Sequence, residues 1–160
     1  MNAHVFLAAV FATPAFGLMV DRIGRRAAFM ALGTALLCGV FPILAFTNKL
    51  WLATVLIGIA FSLVPAVLWP AVPYIVSAAR LGTAYGLMTM LQNIAMMLAN
   101  LAAGGLNDAF GASPENPAGY TPMLWFFFGL SLFGFVFAAA LRVRETGPQG
   151  HGLETIKASQ

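Results

Sequence analysis

The chain has 160 residues, of which 61 % are apolar and 8 % charged, and its net charge is +3. Ordinary soluble domains carry about a quarter charged residues, so this composition excludes a soluble globular fold and points to an integral membrane protein. The single Cys38 excludes an internal disulfide or a Cys-rich metal site, and basic residues that flank apolar runs without forming a stripe exclude a nucleic-acid surface.

All thirteen charged side chains fall outside five apolar stretches, at about 2–20, 27–47, 50–79, 81–106 and 122–141. Each is long enough for a helix to cross about 30 Å of hydrocarbon. None alternates as a barrel strand would, and backbone groups in lipid need internal partners, so the expected fold is an all-α bundle of five transmembrane helices. Segment 1 contains His4 and Pro14 and lacks a basic leader, unlike a signal peptide. Segment 3 holds Pro65, Pro70 and Pro73, which predicts a kinked or tilted helix. Segment 5, with Phe126 to Phe128, reads as peripheral. The tail 142–160 opens with Arg142 and Arg144 and then turns polar and glycine-containing, which predicts a basic anchor followed by disorder.

Charge sets the expected orientation. Arg22, Arg25, Arg26, Arg80, Arg142, Arg144 and Lys157 share one side of a five-helix path, and Lys49 alone sits on the other. By the positive-inside rule the C-terminus is cytoplasmic and the N-terminus outside. An odd span count that begins with an uncapped helix directed outward is what the last helices of a larger bundle show. The chain therefore reads as a C-terminal portion that lacks its first half.

The loop between segments 1 and 2 concentrates charge: residues 17–26 read GLMVDRIGRR and hold four of the thirteen charged residues. The arginines alone make a topogenic anchor. The aspartate and glycines ask for more: Gly17 permits close helix approach, Gly24 a tight reversal, and Asp21 can accept N–H bonds at a helix start or pair with arginine across a domain interface. Gly-x-x-x-Asp-Arg-x-Gly-Arg-Arg resembles the cytoplasmic-loop signature of the major facilitator superfamily, found between helices 2 and 3 and again between helices 8 and 9. Four helices follow it here, so the resemblance implies helices 8 to 12 of a twelve-helix fold. It also implies gating residues Gly17, Asp21, Arg22, Gly24, Arg25 and Arg26, which brace the inner ends of the two halves, with Asp21 at the contact between them.

A second stretch, LWPAVPYIV at 68–76 followed by LGTAYGLMTMLQN at 81–93, resembles the lysosomal dipeptide carrier branch of the superfamily domain-containing group. That resemblance implies a carrier of short peptides working by uniport, in the lysosomal membrane of a eukaryote or the inner membrane of a prokaryote. On segment 4, steps of seven residues link Tyr85 to Gln92 and Asn93 to Asn100 in two adjacent polar lines. Amides in hydrocarbon need protein or water partners, so these lines either bond neighbouring helices or meet substrate. Trp69, between Pro65 and Pro70, is the aromatic placed where a helix break turns an indole and free carbonyls toward a cavity. Trp69, Tyr85, Gln92 and Asn93 are the candidate substrate-binding residues. Trp51 and Trp125 read as interfacial anchors, and small residues recur every fourth position at Ala27-Ala31-Ala35-Gly39, Gly58-Ser62-Ala66 and Ala95-Ala99-Ala103.

Catalysis is not expected. His4 and His151 fall on opposite sides, neither Asp21 nor Asp108 faces a second carboxylate, and no GxxxxGK[ST] loop occurs. No metal and no cofactor is implied; the expected partners are a small solute or short peptide, the lipid bilayer and the missing first half. The rival reading is a stand-alone five-span structural or assembly protein, which leaves the Gly-Asp-Arg-Gly-Arg-Arg loop unexplained.

Overall fold

The computed structural model describes residues 3–47, 50–148 and 150–155. Among these, five long helices follow in order: α1 Ala3–Ile23, α2 Arg26–Phe46, α3 Leu50–Ile75, α4 Leu81–Ala109 and α5 Thr121–Glu145. Short 3₁₀ turns at Ala78–Arg80 and Pro117–Tyr120 lead into α4 and α5, and the described residues form no strand. The all-α fold expected from the apolar runs is the one observed. Four stretches, Arg26–Phe46, Leu50–Ile75, Ala78–Ala109 and Pro117–Glu145, are long and apolar enough to cross a membrane. Lys49, Lys157 and the side chain of His4 lie outside the described residues.

Helix ends depart from the apolar runs in both directions. α1 continues through Asp21 and Arg22, and α5 continues to Glu145, because polar residues at the ends of a span keep their helical hydrogen bonds. α3 stops at Ile75, short of residue 79, where Ser77 turns to extended backbone (φ −61°, ψ 148°). The prolines weaken this end of the helix. Pro73 has no N–H to give the carbonyl four residues earlier, which leaves the Trp69 carbonyl free of its helical partner.

α2 lies at the centre, against α3 on one side and α5 on the other, while α1 lies along α3. Val20, Leu63 and Val67 form the buried centre where α1 and α3 meet, with Phe16, Phe29 and Met30 packed around them. Close approach of α2 and α3 depends on Gly33, where an added Cβ would stand 2.8 Å from Val64 Cγ2. Gly58, Ser62 and Ala66 are all buried on α3, and Ser62 satisfies its hydroxyl by donating to the Gly58 carbonyl at 2.9 Å. The other two rows are used only in part: Ala27 and Ala31 are buried but Ala35 and Gly39 are exposed, and of the α4 row only Ala103 is buried. Gly33→Val should cost about 1–3 kcal/mol through overpacking, read as a lower melting temperature of the purified native protein. An unchanged melting temperature would mean that this helix pair tolerates separation.

α5 packs mainly on α2, with Phe41 and Phe127 stacked at 5.9 Å, and leaves Leu132, Phe133, Val136 and Phe137 exposed, as an edge helix does. One expectation is corrected by the packing: residues 145–148 and 150–155 do not form a disordered tail, since Glu145 is buried and Leu153 is 2 % exposed. The physical reason is an apolar anchor, Leu153, together with hydrogen bonds to the Glu145 carboxylate and to the first N–H groups of α2. Trp51 and Trp125 are both exposed, and Trp125 meets Phe46 and Phe128 edge-on at 5.9 Å and 5.4 Å, as interfacial aromatics do. α4 packs least, with a single buried residue and exposed Leu87, Met90, Leu91 and Ile94 on its surface.

Candidate functional site

The reversal between α1 and α2 uses only two non-helical residues, Gly24 and Arg25. Gly24 is buried, has φ 79° and donates its N–H to the Val20 carbonyl at 2.8 Å. A side chain there would be strained by the left-handed backbone. Arg25 is also left-handed, at φ 43° and ψ 40°. For a non-glycine residue this costs roughly 1–2 kcal/mol, so contacts elsewhere must hold it.

Within the loop Asp21 Oδ1 accepts from Arg26 Nη2 at 2.6 Å. Arg26 is 2 % exposed and its guanidinium lies 5.2 Å from the centroid of the Tyr74 ring at the end of α3. A cation so desolvated needs a counter-charge and donor partners. The carboxylate and the ring face supply part of that need, and Nε and Nη1 stay without a hydrogen-bond acceptor among the described residues. Arg22 and Arg25 are exposed.

Two residues of the motif, Gly17 and Asp21, have these surroundings among the described residues. An added Cβ at Gly17 would meet nothing within 4 Å, so no helix described here uses its lack of a side chain; Gly33 is the glycine of close approach. Asp21 pairs inside its own loop and does not cap α2. The cap comes from Glu154, whose Oε1 accepts from the Ala28 N–H at 2.9 Å, while the Leu153 and Glu154 carbonyls accept from Arg26 N–H at 2.9 Å and Arg25 N–H at 3.2 Å. The lone apolar Leu153 beside an acid, after Gly147, Pro148 and Gly150, was the signal in the sequence for a tail that folds back.

Of the four candidate substrate residues, the structure brings two together. The rings of Trp69 and Tyr85 stack with centroids 5.6 Å apart and planes 18° from parallel. Tyr85 also donates its hydroxyl to the Trp69 carbonyl at 3.2 Å, the same carbonyl that Pro73 deprives of a helical donor. The proline-containing end of α3 and the start of α4 are thus joined through one residue pair. Gln92 and Asn93 lie farther along α4 and are exposed. Asn93 donates to the Thr89 carbonyl at 2.8 Å, and Thr89 donates its hydroxyl to the Tyr85 carbonyl at 2.9 Å, so this line is partly satisfied within its own helix. Gln92 lies seven residues, about 10 Å, along the axis from Tyr85, too far to touch the aromatic pair.

Cavities near the arginine-bearing end, among them one of about 380 Å³ beside Met19 and Arg22, are not lined by these residues. One of about 660 Å³ opens between α2 and α5 beside Arg142, and an apolar one of about 220 Å³ lies among Met30, Val72, Met88, Leu141 and Leu153. No cluster of potential metal ligands occurs among the described residues.

Comparison with known proteins places this arrangement. The family model of the Major Facilitator Superfamily matches residues 1–158. Among curated proteins the chain is similar to the lysosomal dipeptide transporter MFSD1 of Danio rerio, 35 % identical over 113 residues that make up 69 % of this chain and 24 % of that protein. The proteins of the same name from Homo sapiens and Mus musculus are 34 % and 35 % identical over 112 residues, again 69 % of this chain and 24 % of each relative. The chain thus spans about a quarter of the length of the curated relatives it matches. No solved structure matches it. With its apolar helices, its Asp21–Arg26 loop and a family match over nearly its whole length, the chain belongs to the major facilitator superfamily.

Proposed function

We propose that this chain forms helices 8 to 12 of a secondary carrier that moves a small solute by alternating access, with short peptides as the substrate class. The observation that carries the reading is the folded loop: a buried arginine, paired to an aspartate and held at a left-handed turn, joins two helices at one end of the bundle. Such a unit is stiff and charged, which suits a contact that is made in one gating state and broken in the other. The curated relatives named as dipeptide transporters supply the substrate class.

In this reading the basic end faces the cytosol, and the membrane is lysosomal in a eukaryotic cell or the inner membrane in a prokaryote. Arg26 is buried beneath the loop, and the exposed Arg22 and Arg25 are the cations presented to an acceptor on a companion half. Trp69 and Tyr85 form an aromatic wall, and Gln92 and Asn93 offer neutral amides, which bind peptide backbone without selecting side chains. Alternating access requires a midplane site between two halves, so transport belongs to the native carrier as a whole.

Uptake competition tests the substrate class. In vesicles containing the native carrier, several dipeptides with unlike side chains should each compete, whereas sugars and free amino acids should not. Competition by sugars alone would overturn the peptide reading, and no saturable uptake of any solute would overturn the carrier reading.

A further inference from the structure

We propose that residues 145–148 and 150–155 act as a clasp that sets the conformation of the motif loop, with Glu154 as the positioning residue for the start of α2. The proposal rests on the reading of that loop as a gating element.

The clasp begins at the last residue of α5. Glu145 turns its side chain inward, 1 % exposed, and its carboxylate gathers the returning chain. Oε2 accepts from the His151 N–H at 2.8 Å and the Leu153 N–H at 3.2 Å, while Oε1 lies 3.0 Å from His151 Nδ1. The turn depends on glycine: a Cβ at Gly150 would stand 2.5 Å from the Glu145 carbonyl oxygen, and Gly152 has φ 88°. Leu153, 2 % exposed, then closes one end of the apolar cavity it shares with Met30, Val72, Met88 and Leu141. One apolar side chain thereby touches a space bounded by α2, α3, α4 and α5.

The far end of the clasp lands on the motif. A helix start leaves its first N–H groups without internal partners, and Arg25 supplies no side-chain cap to α2. The tail completes that start. Two tail carbonyls accept from Arg25 and Arg26, and the Glu154 carboxylate accepts from Ala28 while placing negative charge at the positive end of the helix dipole. These bonds fix Arg25 in its left-handed turn, and the turn in turn buries Arg26 against Asp21 and Tyr74. Glu154 therefore acts on the loop through backbone geometry and touches no substrate.

Hydrogen exchange read beside uptake tests the clasp in the native carrier. A chain ending at Thr146, the single variant Glu154→Ala, and the turn variant Gly150→Ala with Gly152→Ala should each speed amide exchange at residues 25–28 by about fivefold to tenfold. Glu154→Gln keeps an acceptor oxygen and should stay closer to the parent. Uptake should change in maximal rate more than in apparent KM. Unchanged protection at 25–28 after removal of the tail would overturn the clasp. Lost protection with unchanged uptake would support the clasp and overturn the loop's gating role. Should the truncated chain fail to insert, Glu154→Ala and the glycine pair carry the same test, because neither changes the apolar spans.

Discussion

Asp21→Asn in the native carrier should lower uptake about tenfold while inserted protein stays within about twofold of the parent, since one interaction of about 1.4 kcal/mol is a factor of ten. Insertion should hold because the arginines that orient the loop remain. Uptake should fall because Arg26 is buried and the Asp21 carboxylate, at 2.6 Å, is its only charged partner among the described residues. Removing one partner of a fully buried pair costs about 3–5 kcal/mol. The Asp21 side chain is 41 % exposed, which places this case lower, at about 1–3 kcal/mol. A second variant separates stability from gating. Asp21→Asn combined with Arg26→Met removes both charges, so it should recover the melting temperature lost in the single variant without recovering uptake. Parent-level uptake by Asp21→Asn would leave the loop as a topogenic anchor and nothing more.

On the proposed substrate-binding role, Trp69→Ala should raise the apparent substrate constant about tenfold, because an indole supplies a large contact area and its stacked pair adds about 0.5–1.5 kcal/mol beyond that area. The pairing with Tyr85 provides an internal control. Tyr85→Phe keeps the stack but removes the hydroxyl that satisfies the Trp69 carbonyl. Leaving that carbonyl without a donor costs about 1–3 kcal/mol, so this variant should lower thermal stability more than it changes the substrate constant. Gln92→Ala should raise the constant by less than Trp69→Ala, since an exposed amide contributes a hydrogen bond or two and little contact area. If all three variants change only the amount of protein in the membrane, the aromatic pair is a helix brace and the solute binds elsewhere.

Much of the fold was legible along the chain because its causes are local. Apolar runs bounded by charge specify spanning helices wherever they occur. Pro65, Pro70 and Pro73 pointed to a kinked or tilted span, and α3 runs as one helix through all three before ending at Ile75. Gly24 announced a reversal and adopts φ 79°. Spacing on one helix also grouped Tyr85 with Gln92, but it gave no means of seeing that Tyr85 would turn to Trp69 on α3. Small-residue rows were equally ambiguous. The pattern at Gly17 and the isolated Gly33 look alike in one dimension, and only the second has a neighbour, Val64, at the distance where a methyl group would collide.

The sequence by itself therefore determined the class of the protein, its helices, the charged reversal at 21–26 and the family to which these belong. Tertiary structure alone decided which groups complete that reversal: Arg26 buried under Asp21 and Tyr74, and the start of α2 capped by a glutamate 126 residues away. The difference is one of range. Helix formation and charge placement depend on neighbours within a turn or a span, whereas an N–H at a helix start accepts any oxygen that the folded chain delivers. Which oxygen arrives is settled by where Glu145 turns the tail and where Leu153 finds an apolar space, and neither is written in the spacing of the residues they serve.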